Sequence, residues 1–170
     1  DICPANRVLN MLSAITGKNY DENGEMAAGG GILQDVLDRL NKLAYYQRPH
    51  PKSLANQFGT DEVFPLLPRD NIANSLRTYV EHIVMQLKRS IEGLNCQLST
   101  DNCQLLITGG GAHNKFLVQR ITEELSPLSI TVTVPEKNIV DYKEALVMAL
   151  LGILRWREQN TVLASVTGAK

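Results

Sequence analysis

The sequence predicts a helix-rich α/β fold, and three observations carry that expectation. The apolar run Leu105-Leu106-Ile107-Thr108 ends in Gly109-Gly110-Gly111, and Asn114 then opens a helical pattern with Phe116, Leu117, Ile121 and Leu125 on one face. That order reads as strand, tight turn and helix. Ile130, Val132 and Val134 next alternate with Thr131 and Thr133, the period of a second strand. Two strands with a helix between them make a right-handed βαβ unit. The remaining periodic segments are helical.

The first helix follows Pro4, carries Val8, Leu9, Leu12 and Ile15, and stops at Gly17. Residues 19–31 form a loop whose sharpest turn signal is Asp21-Glu22-Asn23-Gly24. A second helix covers about residues 32–44, with Leu33, Val36, Leu37 and Leu40 on one face. Residues 48–68 hold four prolines and little periodicity, an irregular connection long enough to expect function of it. Asp70 then caps the best-formed helix, whose stripe is Ile72, Leu76, Val80, Ile83, Leu87 and Ile91 and whose end is Gly93. The strand at 104–108 is apolar almost throughout, as in a central strand covered on both faces. The alternating strand at 129–134 suits an edge. The last helix, about 141–157, is apolar nearly all round and so expected to be buried, with Arg155 and Arg157 complementing its dipole.

The chain has 170 residues, enough for one domain with a real core. A net charge of −1 without a Lys/Arg cluster speaks against nucleic acid. The longest apolar run, residues 145–154, is far short of the roughly 20 residues that span a bilayer. Cys3, Cys96 and Cys103 are odd in number and at no metal-ligand spacing, which suggests a reducing compartment and a cytoplasmic protein. His50, between prolines, and His82, on a helix, have no partner at metal spacing either, so no metal site is expected from side chains, and His113 in the glycine turn is expected to be exposed without a role rather than at the nucleotide.

Five helices against two strands leave the sheet short, because a two-stranded sheet is marginal in water. The expectation is a piece of a longer protein, whose N-terminal part supplies the other strands.

Three consecutive glycines before a helix start let a ligand approach the backbone, and free amides there attract anions such as nucleotide phosphates. A dinucleotide fingerprint fits poorly, since Asn114 stands where the third glycine is needed and Glu136 is the only acid in range. A bare strand–helix turn capped by Asn114 needs fewer glycines.

The residues around this turn carry a family resemblance. Asp1-Ile2-Cys3-Pro4-Ala5-Asn6 is similar to D-T-G-P-G-N, and Tyr20-Asp21-Glu22-Asn23-Gly24 with Ala27 to Y-D-x-x-G-x-x-A. Pro51-Lys52-Ser53 matches P-K-S, Asp141 with Glu144-Ala145 matches D-x-x-E-A, and residues 165–169 match a terminal S-V-T-G-A. With Gly109-Gly110-Gly111-Ala112-His113-Asn114, these stretches in this order resemble the anhydro-N-acetylmuramic acid kinases of the actin-like (ribonuclease H-like) ATPase superfamily. The resemblance covers residues 1–170 as a single domain, the C-terminal nucleotide-binding lobe of a longer two-lobe kinase.

That resemblance implies ATP and Mg²⁺, an amino-sugar substrate, and the missing N-terminal lobe as partner; a homodimer is compatible with it. The implied reaction opens the 1,6-anhydro ring with water and phosphorylates O6, giving N-acetylmuramic acid 6-phosphate in the recycling of peptidoglycan fragments. It implies Asp1 as the base for water, Gly109, Gly110, Gly111 and Asn114 at the nucleotide, and Glu144, Lys52 and Ser53 at the sugar. The isolated piece is expected to be inactive. Ile2, Cys3 and Ala5 depart from the family's Thr and two glycines, which sets up the alternative of a non-catalytic actin-like module that binds nucleotide or a partner. Glu144 could equally complement its helix dipole.

Overall fold

A computed structural model describes residues 1–49, 52–93 and 103–162. Its regular elements are α1 (Asn6–Ile15), α2 (Glu25–Ala28), α3 (Gln34–Asn41), α4 (Ile72–Gly93), β1 (Cys103–Leu106), α5 (Lys115–Leu125), β2 (Ile130–Thr133) and α6 (Lys137–Trp156). The architecture is therefore a helix-rich α/β arrangement, with one two-stranded sheet among the described residues.

The long helix α4 is the hub. Helices α1, α2, α3 and α5 all pack on it. Its stripe meets Val8 and Leu12 of α1, Val36 and Leu40 of α3, and Leu117, Ile121 and Leu125 of α5 in one continuous core. Apolar residues at i, i+3, i+4 and i+7 put these side chains on single faces, and burial of those faces is what stabilises each helix. The α4–α5 seam is also ionic, with Arg120 donating to Glu81 Oε1 at 2.7 Å and Oε2 at 3.1 Å.

β1 and β2 pair in parallel, Cys103 opposite Ile130 and Leu106 opposite Thr133, with α5 as the crossover. The expected βαβ unit is thus present, and the edge-like alternation of β2 appears as a buried Ile130 and a half-buried Val132 alternating with exposed Thr131 and Thr133.

Four local expectations need correction. Residues 19–31 are not wholly loop, because Asp21 accepts from the Met26 and Ala27 N–H groups, both at 2.9 Å, and so starts the short helix α2. The acceptor at the start of α4 is Asn71, which takes the Asn74 N–H at 3.0 Å, rather than Asp70. β1 is covered on one face only, and Leu106 lies open. Finally α6 is apolar but exposed: of its residues only Val140 is buried. Its sequence asks for cover on most sides, and the described elements offer it little. No helix among the described residues is long and apolar enough to cross a membrane.

Candidate functional site

The glycine turn is built for close approach. Gly109 has φ 69° and ψ −166°, a region that side chains with a Cβ seldom enter, so the chain leaves β1 through a bend that glycine permits. Gly110 follows at a distance that admits no Cβ, because one built there would lie 2.6 Å from Asn6 Nδ2. The turn closes with Asn114, whose side chain accepts from the Leu117 N–H at 2.9 Å and caps α5. By helix geometry the leading amides of α5 lack intrahelical acceptors and point along the positive end of its dipole.

A second turn leans on the first. Gly24 has φ 76°, and a Cβ there would meet Asn114 Oδ1 at 2.3 Å and Phe116 Cβ at 2.6 Å. The segment from Tyr20 to Gly24 therefore sits directly against the start of α5. Between this segment, the first turns of α1 and the glycine turn lies a cavity of about 570 Å³. Asn6, Asn10, Tyr20, Asn23, Gly110 and Lys115 supply its amides, its aromatic ring and its cation. That volume is within the range of small-molecule sites, and the mixture of apolar wall and a few polar groups is what such sites use. Asp21 and Glu22 also line the cavity, but the Asp21 oxygens are held by the amides that open α2.

Asp1 and Lys52 meet at a different place. The Asp1 nitrogen donates to the Lys52 carbonyl at 2.8 Å, and the Leu54 N–H donates to Asp1 Oδ2 at 2.7 Å. Ser53, between them, is exposed. The six residues from Asp1 to Asn6 thus run from this loop to Gly110. Midway, the Tyr79 hydroxyl donates to the Pro4 carbonyl, and burial pushes the Cys3 thiol up to about 12. Cys3 is accordingly a neutral packing group and not a nucleophile.

Helix α6 joins the glycine turn through His113 Nε2 and Asp141 Oδ1, 3.0 Å apart. A hydrogen bond from Lys137 holds the Asp141 carboxyl below its ordinary range. Glu144 stands exposed on the same helix, three residues beyond Asp141. The structure therefore gathers Gly110, Asn114 and the Tyr20–Gly24 motif at one cavity and Asp1 with Lys52 at one loop, and leaves Glu144 open on α6. Sequence reasoning assigned no task to Asn6 or Gly24. Their signals were there, Asn6 as the last residue of the opening motif and Gly24 in an Asn-Gly turn. His50, Pro51, Cys96 and the terminal motif at 165–169 lie outside the described residues.

The fit to cofactors divides. The glycine cradle and its cavity suit a nucleotide. Among the described residues no group of three His, Cys, Asp or Glu is placed to hold a metal, so no step is assigned to Mg²⁺.

Comparison with known proteins bears on the whole chain. The family model described as anhydro-N-acetylmuramic acid kinase matches residues 1–170. A protein of that name from Gloeothece citriformis is 34% identical over 99% of this chain and 45% of its own length. Its namesake from Aliivibrio fischeri is 31% identical over 99% of this chain and 46% of its own length, and the one from Francisella tularensis is 28% identical over 100% and 45%. The chain spans about half the length of the curated relatives it matches.

Proposed function

Because the chain belongs to the anhydro-N-acetylmuramic acid kinase family, we propose that it is the nucleotide-binding, C-terminal lobe of a cytoplasmic two-lobe sugar kinase of actin-like fold. The observation that carries the nucleotide assignment is the 570 Å³ cavity bounded by the glycine turn, the start of α5 and the Tyr20–Asn23 turn. Adenosine occupies this cavity, and the backbone of Gly109, Gly110 and Gly111 with the leading amides of α5 faces the phosphates.

The reaction assigned to the whole protein follows from that placement. Asp1 takes a proton from water, and the resulting hydroxide attacks the anomeric carbon of anhydro-N-acetylmuramic acid. The bond from that carbon to O6 breaks, O6 takes the γ-phosphoryl group of ATP, and ADP leaves with N-acetylmuramic acid 6-phosphate as product. Such transfers depend on positioning more than on covalent chemistry, which a rigid glycine turn serves. Ser53 and Glu144 are assigned to the sugar side, while the Lys52 ammonium is held by the Tyr45 and Tyr46 carbonyls. The exposed helix α6 and the open face of β1 support the two-lobe reading, since both offer apolar surface for further chain to cover.

The test uses the whole protein. In Gly110→Val, a side chain enters space held by Asn6, and ATP affinity falls at least about tenfold with the fold retained by circular dichroism. Asp1→Asn loses turnover and keeps ATP binding. Unchanged ATP affinity in Gly110→Val overturns the cavity assignment, and full turnover in Asp1→Asn overturns the base. The side chains of Ile2, Cys3 and Ala5 beside Asp1 favour one second reading, a module that binds nucleotide without phosphoryl transfer. ATP binding by the unaltered whole protein with no phosphorylated sugar would establish that reading instead.

A further inference from the structure

Asp1 is exposed, yet hydrogen bonds tie it to three distant positions: it donates to Lys52 and accepts from Leu54 and Tyr45. Besides its bonds to Lys52 and Leu54, the Asp1 carbonyl accepts from the Tyr45 hydroxyl at 2.7 Å. These partners lie 44 to 53 positions away in sequence. Lys52 closes the bracket from the other side. Its Nζ donates to the carbonyls of Tyr45 at 3.3 Å and Tyr46 at 3.5 Å and sits 4.7 Å from the centre of the Tyr45 ring.

The bracket is anchored. Tyr45 is buried, with its ring 5.4 Å from that of Tyr46 and 5.0 Å from that of Phe58. An arm already ordered by packing has little rotamer freedom left to lose when it holds a neighbour. The Lys52 ammonium, expected at the sugar, is instead engaged by main-chain carbonyls and an aromatic face. The Leu54 N–H occupies Oδ2, which leaves Oδ1 as the carboxylate oxygen without a partner among the described residues.

We propose that Tyr45 and Lys52 are positioning residues that act through Asp1, holding its carboxylate by Oδ2 so that Oδ1 accepts the proton of the attacking water. Tyr45 holds the main chain of Asp1, Lys52 holds the loop that brings the Leu54 amide to Oδ2, and neither touches substrate. This inference rests on the assignment of Asp1 as the base.

The experiment compares Tyr45→Phe, Lys52→Met, Lys52→Arg and Asp1→Asn in the whole protein. Tyr45→Phe removes one hydroxyl and keeps the packed ring, while Lys52→Met keeps the stem and removes the charge. Both lower kcat by about tenfold, in line with the cost of small misplacements of a reacting group, and leave the KM for ATP within about twofold. Lys52→Arg restores most of the rate. An unchanged kcat in Tyr45→Phe and Lys52→Met, with Asp1→Asn inactive, overturns the positioning role alone. So does a fall in kcat matched by an equal loss of ATP affinity, the mark of a general structural defect. Full activity in Asp1→Asn removes the premise on which the inference stands.

Discussion

Single residues hold the site together through constraints of a few ångströms. Gly24 combines a left-handed backbone with direct contact against Asn114 and Phe116. Gly24→Ala therefore adds backbone strain to overpacking, and the expected loss is roughly 2–4 kcal/mol in urea unfolding. Asn114→Ala removes only the cap of α5 and costs about 1 kcal/mol by the same measurement. His82 is fully buried, with Nδ1 2.8 Å from Asn41 Oδ1, an oxygen that also accepts from Gln86 Nε2 at 2.7 Å. Nδ1 thus carries the proton, and Nε2 has no partner among the described residues. Burial, helped by Arg89, pushes the imidazole down to about 3. The unfolded chain binds a proton near pH 6.5 while the folded chain does not, so stability is lost as pH falls from about 6.5 toward 3, by up to about 1.4 kcal/mol per pH unit. The acid side of a stability–pH curve should flatten in His82→Phe.

At the scale of elements, α4 is the hub of the core, and its seam with α5 is ionic as well as apolar. Leu76 is fully buried in the shared core, so Leu76→Ala is expected to cost about 2–5 kcal/mol. Arg120 is the bidentate partner of Glu81, whose carboxylate is buried. Removing a buried partner usually costs about 3–5 kcal/mol, but Arg77 also reaches Glu81 at 3.2 Å and offsets part of it. Arg120→Ala should accordingly cost about 1–3 kcal/mol in chemical denaturation. The helix α4 was legible from its stripe alone, because Leu76, Val80 and Ile83 recur at the helical period and all are buried. Its cap was misassigned by one residue, since Asp70 and Asn71 are adjacent and both are good caps. The short helix α2 was missed because its start depends on both oxygens of Asp21 reaching amides five and six residues ahead.

For the whole molecule the decisive feature is α6, where Leu146 is 67% exposed and Trp156 89%. Exposed apolar surface of that extent marks a contact face. The 170-residue chain prepared alone is expected to self-associate in light scattering, and the pair Leu146→Glu and Met148→Glu to reduce that association. If further chain covers this face in the whole protein, as the two-lobe proposal requires, the same pair should lower the Tm there. Unaltered scattering in the double variant would contradict this account of α6.

Local features were readable from the sequence by itself: the glycine turn, the βαβ order, the stripes of α1, α4 and α5, and the motifs in which Asp1 and Gly110 stand. Each depends on residues a few positions apart, through backbone sterics, capping and periodicity. The tertiary structure alone decided which faces are covered and which side chains are engaged. It left α6 and Leu106 open, turned Lys52 inward onto Tyr45, and set Gly24 against Asn114. Burial and hydrogen-bond partnership belong to pairs far apart in the chain, and one residue's identity does not name its partner.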